Sequence, residues 1–258
     1  MDIIYKYRPW KDPYSSILRK NSLWFPSVKT LREIDKGDEN EFKNYLDYSG
    51  LTEAQKIDFV YQIRVYRSKE PLKRIIEDTC AKIEEYKKKN WVEFNKLGEL
   101  LAEESARKIG VCSFSKKNNL EYQWENYAES FNGVCIGFDF DSLINHTGGH
   151  WGPIIYDSYK HPIPSLNFMH DIFPVGFIKK QNFILEDEYR LNKFDFADKG
   201  YSLPSSVFKE IILGYKLFEK GNDILRDEIL ELIQNKFSAA NISVAQKDTL
   251  NNVIIKKI

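Results

Sequence analysis

A chain of 258 residues that is 42% apolar and 29% charged can bury a substantial core, which excludes bulk disorder. Lys plus Arg and Asp plus Glu both number 38, so the positive excess of a dedicated nucleic-acid binder is absent. The start, MDIIYKYRPW, lacks the basic-then-apolar pattern of a signal peptide, and no run approaches the ~18 apolar residues of a membrane span. Cys80, Cys112 and Cys135 form no C-x-x-C pair, so the expectation is a cytoplasmic protein with free thiols and no membrane association.

In chain order, Ile3–Arg8 alternates polarity with β-branched and aromatic residues and predicts a strand, stopped by Pro9. A short helix around Tyr14–Lys20 and a strand at Ser22–Phe25, closed by Pro26, follow. From about Thr52 to Lys108 the chain turns rich in Lys, Glu, Ile and Leu. Thr52 with Ala54 and Gln55 opens a helix there, and Ile57, Val60, Tyr61, Arg64 and Val65 keep helical spacing until Pro71 separates it from the next. The run EEYKKKN at Glu84–Asn90 reads as a solvated helix face.

Strands return at Gly110–Phe114 and Val134–Phe138. Between them Leu120, Trp124, Tyr127 and Phe131 form an apolar helical stripe, with Asn118 and Glu121 as a capping box and Asn132-Gly133 as the stop. Further strands are expected at Gly152–Tyr156, Asp187–Phe194 and Asn251–Lys256, with a helix pair at Ser205–Phe218 and Asp223–Phe237. The fold class is α+β: a mixed, twisted sheet or split β-sandwich with C-terminal helices, one domain over residues 1–258 with a helical insertion at about 50–108.

Three polar motifs stand out. In Tyr5-Lys6-Tyr7-Arg8, strand alternation puts Lys6 and Arg8 on one face and both tyrosines on the other. The planar fork of Arg8 suits a pyrophosphate, while solvated charges on an edge strand are the competing reading. In Ser113-Phe114-Ser115, ending a strand, both hydroxyls share a face and can position a ribose or carboxamide; a polar strand end explains them equally well. In Glu186-Asp187-Glu188-Tyr189-Arg190, strand alternation clusters two carboxylates with Arg190. Like charges crowded together call for a balancing cation, arginine or substrate, and an ion pair on an exposed strand is the alternative.

Metal chemistry is not expected. His146 and His150 lie in HTGGHW, where two glycines interrupt helical spacing, and His161 and His170 are isolated. No phosphate loop, nucleophile elbow or H-E-x-x-H appears.

Taken together, YKYR, LWFPSV, VCSFS, W-x-x-Y at Trp124–Tyr127, GVCIGFD, E-x-E-x-R and IILG resemble a bacterial family known only as a domain of unknown function. That family carries an Asn-Asp-Pro-Phe-Glu type segment after the second strand; here Leu31–Asn40 reads LREIDKGDEN. More distantly, Arg8, Ser113-Phe114-Ser115 and Glu186-Asp187-Glu188 resemble, in order, the elements of Arg–Ser–Glu type ADP-ribosyltransferases.

That second resemblance implies NAD as substrate, no metal, and a toxin or phage-defence setting with a protein or nucleic-acid acceptor and an antitoxin as partners. It further implies that Arg8 contacts the NAD phosphates, Ser113 and Ser115 support the nicotinamide ribose, and Glu188 bonds the ribose 2′-hydroxyl. Glu186 would deprotonate the acceptor, and Tyr5, Tyr7, Trp124 or Tyr127 would stack on nicotinamide, core packing being the other use of Trp124 and Tyr127. On this reading Glu188→Gln abolishes turnover and leaves the fold intact. Two other functions compete: a binding module without catalysis, and a metal-dependent nuclease built on Asp139, Asp141, Glu186 and Glu188.

Overall fold

The structure is a computed structural model that describes residues 2–11, 14–35, 46–47, 50–67, 72–91, 94, 107–157, 161–162 and 176–258. The chain divides into two compact units. The first comprises Met1–Pro26, Gly110–Ile154 and Asn182–Ile258; the second comprises Ser27–Ile109 and Ile155–Gln181 and so takes in the helix-rich stretch. Among the described residues no helix is long and apolar enough to cross a membrane.

The first unit begins with β1 (Ile3–Pro9), a single helical turn α1 (Ser16–Arg19) and β2 (Ser22–Phe25). The chain returns to it with β4 (Gly110–Ser115), α5 (Glu121–Tyr127), β5 (Gly133–Asp139), α6 (Phe140–Thr147) and β6 (His150–Pro153). It closes with β10 (Glu188–Lys193), β11 (Lys199–Ser202), β12 (Phe208–Gly214), α7 (Asp223–Lys236), β13 (Asn241–Lys247) and β14 (Val253–Lys257).

Eight of these strands form one mixed open sheet in the order β14-β13-β12-β5-β1-β4-β10-β6. β5 sits near its middle because GVCIGFD can be buried on both faces, and Val134 to Phe138 are all buried. Every pairing is antiparallel except β12 with β13. That parallel pair needs a crossover, which α7 supplies. One face packs Ile4, Phe114, Ile136, Phe138, Leu191, Ile211 and Leu213 into the larger core, and Ile229 and Ile233 of α7 join it. The other face packs Tyr7, Cys135, Ile212 and Ala245 against Trp124 and Phe131.

Ser205–Phe218 was expected as a helix and is instead β12 between two 3-10 turns. A run such as IILG fits a buried helix and a buried strand equally; pairing with β5 and β13 decides for the strand. β13 was not anticipated. The strand expected at Gly152–Tyr156 is two strands, β6 and a shorter one in the second unit. The Asn118/Glu121 capping box does not form: Leu120 is the N-cap, and Asn118 gives its carbonyl to the Trp124 indole at 2.9 Å. Cys112 and Cys135 are buried free thiols, and Cys80 is an exposed one.

In the second unit lie α2 (Val28–Asp35), β3 (Leu46–Asp47), α3 (Glu53–Arg67), α4 (Leu72–Lys88), β7 (Ile155–Tyr156), β8 (His161–Pro162) and β9 (Ile178–Lys179). Thr52 and Gln55 form a reciprocal cap on α3: the Thr52 amide donates to Gln55 Oε1 at 2.8 Å, and the Gln55 amide donates to Thr52 Oγ1 at 3.3 Å. Leu51, Phe59, Val60, Ile83, Tyr86 and Phe94 make this unit's own core. The charged residues of the run that ends α4 are exposed or half-buried and laced with pairs such as Lys89–Glu85 at 3.2 Å. Pro71, His170, the His161 side chain and the 36–40 part of the departing loop lie outside the described residues.

Gly214 ends β12 where a Cβ would stand 2.1 Å from the Phe131 carbonyl oxygen. Backbone cannot yield as a side chain can, so Gly214→Ala should cost about 1–3 kcal/mol of stability. A melting temperature equal to that of the wild type would contradict this close approach.

Candidate functional site

Register decides which side chains share a face. Glu188 of β10 lies opposite Ser115 of β4, and Arg190 lies opposite Ser113. From the other side, Tyr5 of β1 also lies opposite Ser115. Cross-strand partners point the same way, so Tyr5, Tyr7, Ser113, Ser115, Glu188 and Arg190 project from one face. The opposite face receives Ile4, Lys6, Arg8, Cys112, Phe114, Tyr189 and Leu191. α5 covers the first face: Trp124 meets Tyr7 edge-to-face at 5.3 Å and stacks on Phe131, also at 5.3 Å.

A buried polar cluster lies on that face. Arg190 donates from Nε to Glu188 Oε1 at 2.7 Å and from Nη2 to Glu188 Oε2 at 3.0 Å, a bidentate pair. The two side chains are only 1% and 3% exposed. A guanidinium this deep requires an anion beside it, and the i, i+2 spacing along β10 provides one.

Glu186 is buried as well, but strand alternation does not place it. It ends a 3-10 turn over Gln181–Glu186, and Asp187 follows with a φ of 44°. α5 then clamps Glu186 twice: the Tyr127 hydroxyl donates to Oε1 at 2.8 Å, and Gln123 Nε2 donates to the Glu186 carbonyl at 2.6 Å. Outside the cluster, Asp187 pairs with Lys117 at 2.9 Å. The Ser115 hydroxyl accepts from the Lys117 amide at 3.1 Å, while the Tyr7 hydroxyl donates to the Lys117 carbonyl at 2.8 Å. Burial, with Glu210 alongside, pushes the Tyr5 phenol well above its ordinary range.

The structure therefore brings together Tyr5, Tyr7, Ser113, Ser115, Tyr127, Glu186 and Glu188. It separates Arg8 from them. Strand alternation turns Arg8 to the opposite face, where its guanidinium lies 5.6 Å from the Tyr14 ring and donates to the Tyr7 carbonyl at 3.4 Å. Arg8 thus does not share a face with Ser113 and Glu188. Trp124 is fully buried, so it serves the core and is not a free stacking surface. Arg190, for which an ion pair on an exposed strand was the alternative, is the buried cation of the cluster. Gln123 was missed; a polar residue flanking an apolar helical stripe carries no signal of its own.

The four carboxylates of the nuclease reading do not meet. Asp139 caps α6 by accepting from the Ser142 amide at 2.9 Å, and that contact, with Lys209 beyond it, holds its carboxyl below the ordinary range. Asp141 is exposed. β5 and β10 stand three strand spacings apart, about 14 Å at the usual separation. Among the described residues no group of three or more His, Cys, Asp or Glu is placed to hold a metal ion. In comparisons with known proteins, no family model, no curated protein and no solved structure matches the chain.

The buried pair also changes the expectation for Glu188→Gln. That substitution removes the charge opposing Arg190, so the fold is not left untouched. Arg190→Met should cost about 3–5 kcal/mol by stripping Glu188 of this cation. Combined with Glu188→Gln, it should cost clearly less than the two singles added together. Strictly additive losses in denaturant titrations would argue against the pairing.

Proposed function

We propose that this chain binds NAD over the Glu188 face and cleaves the nicotinamide–ribose bond, passing ADP-ribose to a protein or nucleic-acid acceptor or to water. The observation that carries the reading is the cross-strand register that sets Ser113 and Ser115 beside Arg190 and Glu188 on one face. The three-motif resemblance requires this serine–glutamate meeting. Arg8, which that resemblance assigns to the NAD phosphates, lies on the opposite face, and Arg190 instead holds the Glu188 carboxylate.

The chemistry follows from these groups. The C1′–N bond breaks with its electron pair leaving on nicotinamide, which departs neutral. Glu188, held by Arg190, accepts a hydrogen bond from the ribose 2′-hydroxyl, and that bond strengthens as the sugar gains oxocarbenium character. Glu186, steadied by Tyr127, takes the proton from the nucleophile that attacks C1′. Ser113 and Ser115 orient the ribose end, with Tyr5 beside them for the ring.

A second reading, a nucleotide-binding module without turnover, is favoured by one fact. Both Glu188 oxygens are engaged by Arg190, and the side chain is almost wholly buried.

The test incubates wild-type protein with NAD, in buffer and in cell lysate, and follows free nicotinamide by mass spectrometry. Glu188→Asp, which keeps an anion for Arg190, runs beside it. Release by the wild type, reduced at least a hundredfold in Glu188→Asp, supports the enzyme. A thermal shift with NAD but no nicotinamide in either medium selects the binding module, and neither shift nor release removes both.

A further inference from the structure

The sheet is not evenly joined. β1 and β4 share a single residue pair, Tyr5 with Ser115. By contrast β1 pairs with β5 along its whole length. Past Ser115 the strands part, and the Val111 amide turns to the Pro26 carbonyl at 2.9 Å. Into the gap goes Lys6. Its ammonium donates to the Ser113 carbonyl at 2.6 Å and lies 4.9 Å from the centre of the Phe114 ring. The residue is 3% exposed.

This is a poor setting for a charge. A carbonyl and an aromatic face attract the ammonium, but among the described residues no carboxylate stands within ion-pair distance of it. The charged and titratable groups that act on it are Arg8 from its own strand, Cys112 from β4 and Glu188 from β10. Of these, Arg8 opposes the charge, while Cys112 and, from the other face of the sheet, Glu188 favour it less strongly than burial and Arg8 oppose it. Closing the gap therefore strips water from a cation without supplying an anion.

We propose that the β1–β4 seam is a proton-sensitive joint, in which the Lys6 ammonium favours an opened, hydrated gap and the neutral amine favours the closed one. Burial, followed by Arg8, lowers the Lys6 pKa in the closed seam to about 8. Water restores the ordinary value, near 10.4, when the gap opens. The open form binds the proton more tightly, so acid favours opening and rising pH favours closure. Between pH 7 and 9 the open-to-closed ratio falls about tenfold. The joint divides the strands bearing Ser113, Ser115, Glu188 and Arg190 from the strand bearing Tyr5 and Tyr7. It stands on the Lys6 surroundings alone and does not depend on the NAD reading.

Amide hydrogen exchange, corrected for the intrinsic rate at each pH, tests this on the intact chain. In the wild type, protection of the Ser113 and Ser115 amides, which face β1, should fall about tenfold from pH 9 to pH 7, while residues 210–214 of β12 stay level. Lys6→Met should hold the seam closed and show no such trend. A flat wild-type profile would overturn the joint, as would an equal trend in Lys6→Met or in β12. The wild-type series stands by itself should the variant fail to fold.

Discussion

The Arg190 guanidinium, 1% exposed, cannot lie in this sheet without an anion against it. Much of the local architecture answers that demand. Glu188 supplies the anion from two residues away on the same strand, and Arg190 donates to both of its carboxylate oxygens in a bidentate arrangement that fixes the two rotamers. α5 then closes over the same face, holding Glu186 through Tyr127 and Gln123. Trp124 and Phe131 seal the apolar side of the lid against Tyr7. The polar cluster and its cover are one construction, so a change to either partner of the ion pair is felt as stability before it is felt as chemistry.

Two buried cations in this sheet meet opposite circumstances. Arg190 has a carboxylate at hydrogen-bond distance; Lys6 has a carbonyl and a ring. The difference arises from the faces they occupy. Strand alternation on β10 gives Arg190 the company of Glu188, whereas on β1 it gives Lys6 the company of Arg8. The sheet is accordingly tight between β4 and β10, paired over six residues, and loose between β1 and β4, paired at one.

Much of the fold was legible in the residues. β1, β2, β4 and β5 carry period-two patterns or short buried runs between clear stops, and Thr52 with Gln55 announces the start of α3. What misled was symmetrical evidence. IILG in β12 suits a helix and a strand alike, and only its neighbours β5 and β13 settle the matter. At the site, the serine and glutamate motifs could be named from spacing, and they do share a face. Arg8 could not be placed, because alternation within β1 says which residues go together but not which face of β1 matches which face of β10.

The amino-acid sequence by itself determined the α+β character, the partition of tyrosines from Lys6 and Arg8, and the placing of Glu188 and Arg190 on one face of a strand. These follow from local periodicity and from the chemistry of single side chains. The tertiary structure alone decided that Arg8 turns away from Glu188, that Arg190 is buried rather than solvated, and that Lys6 fills the gap between β1 and β4. Each of those depends on which strands become neighbours and in what register, and pairing partners far apart in the chain leave no local trace in it.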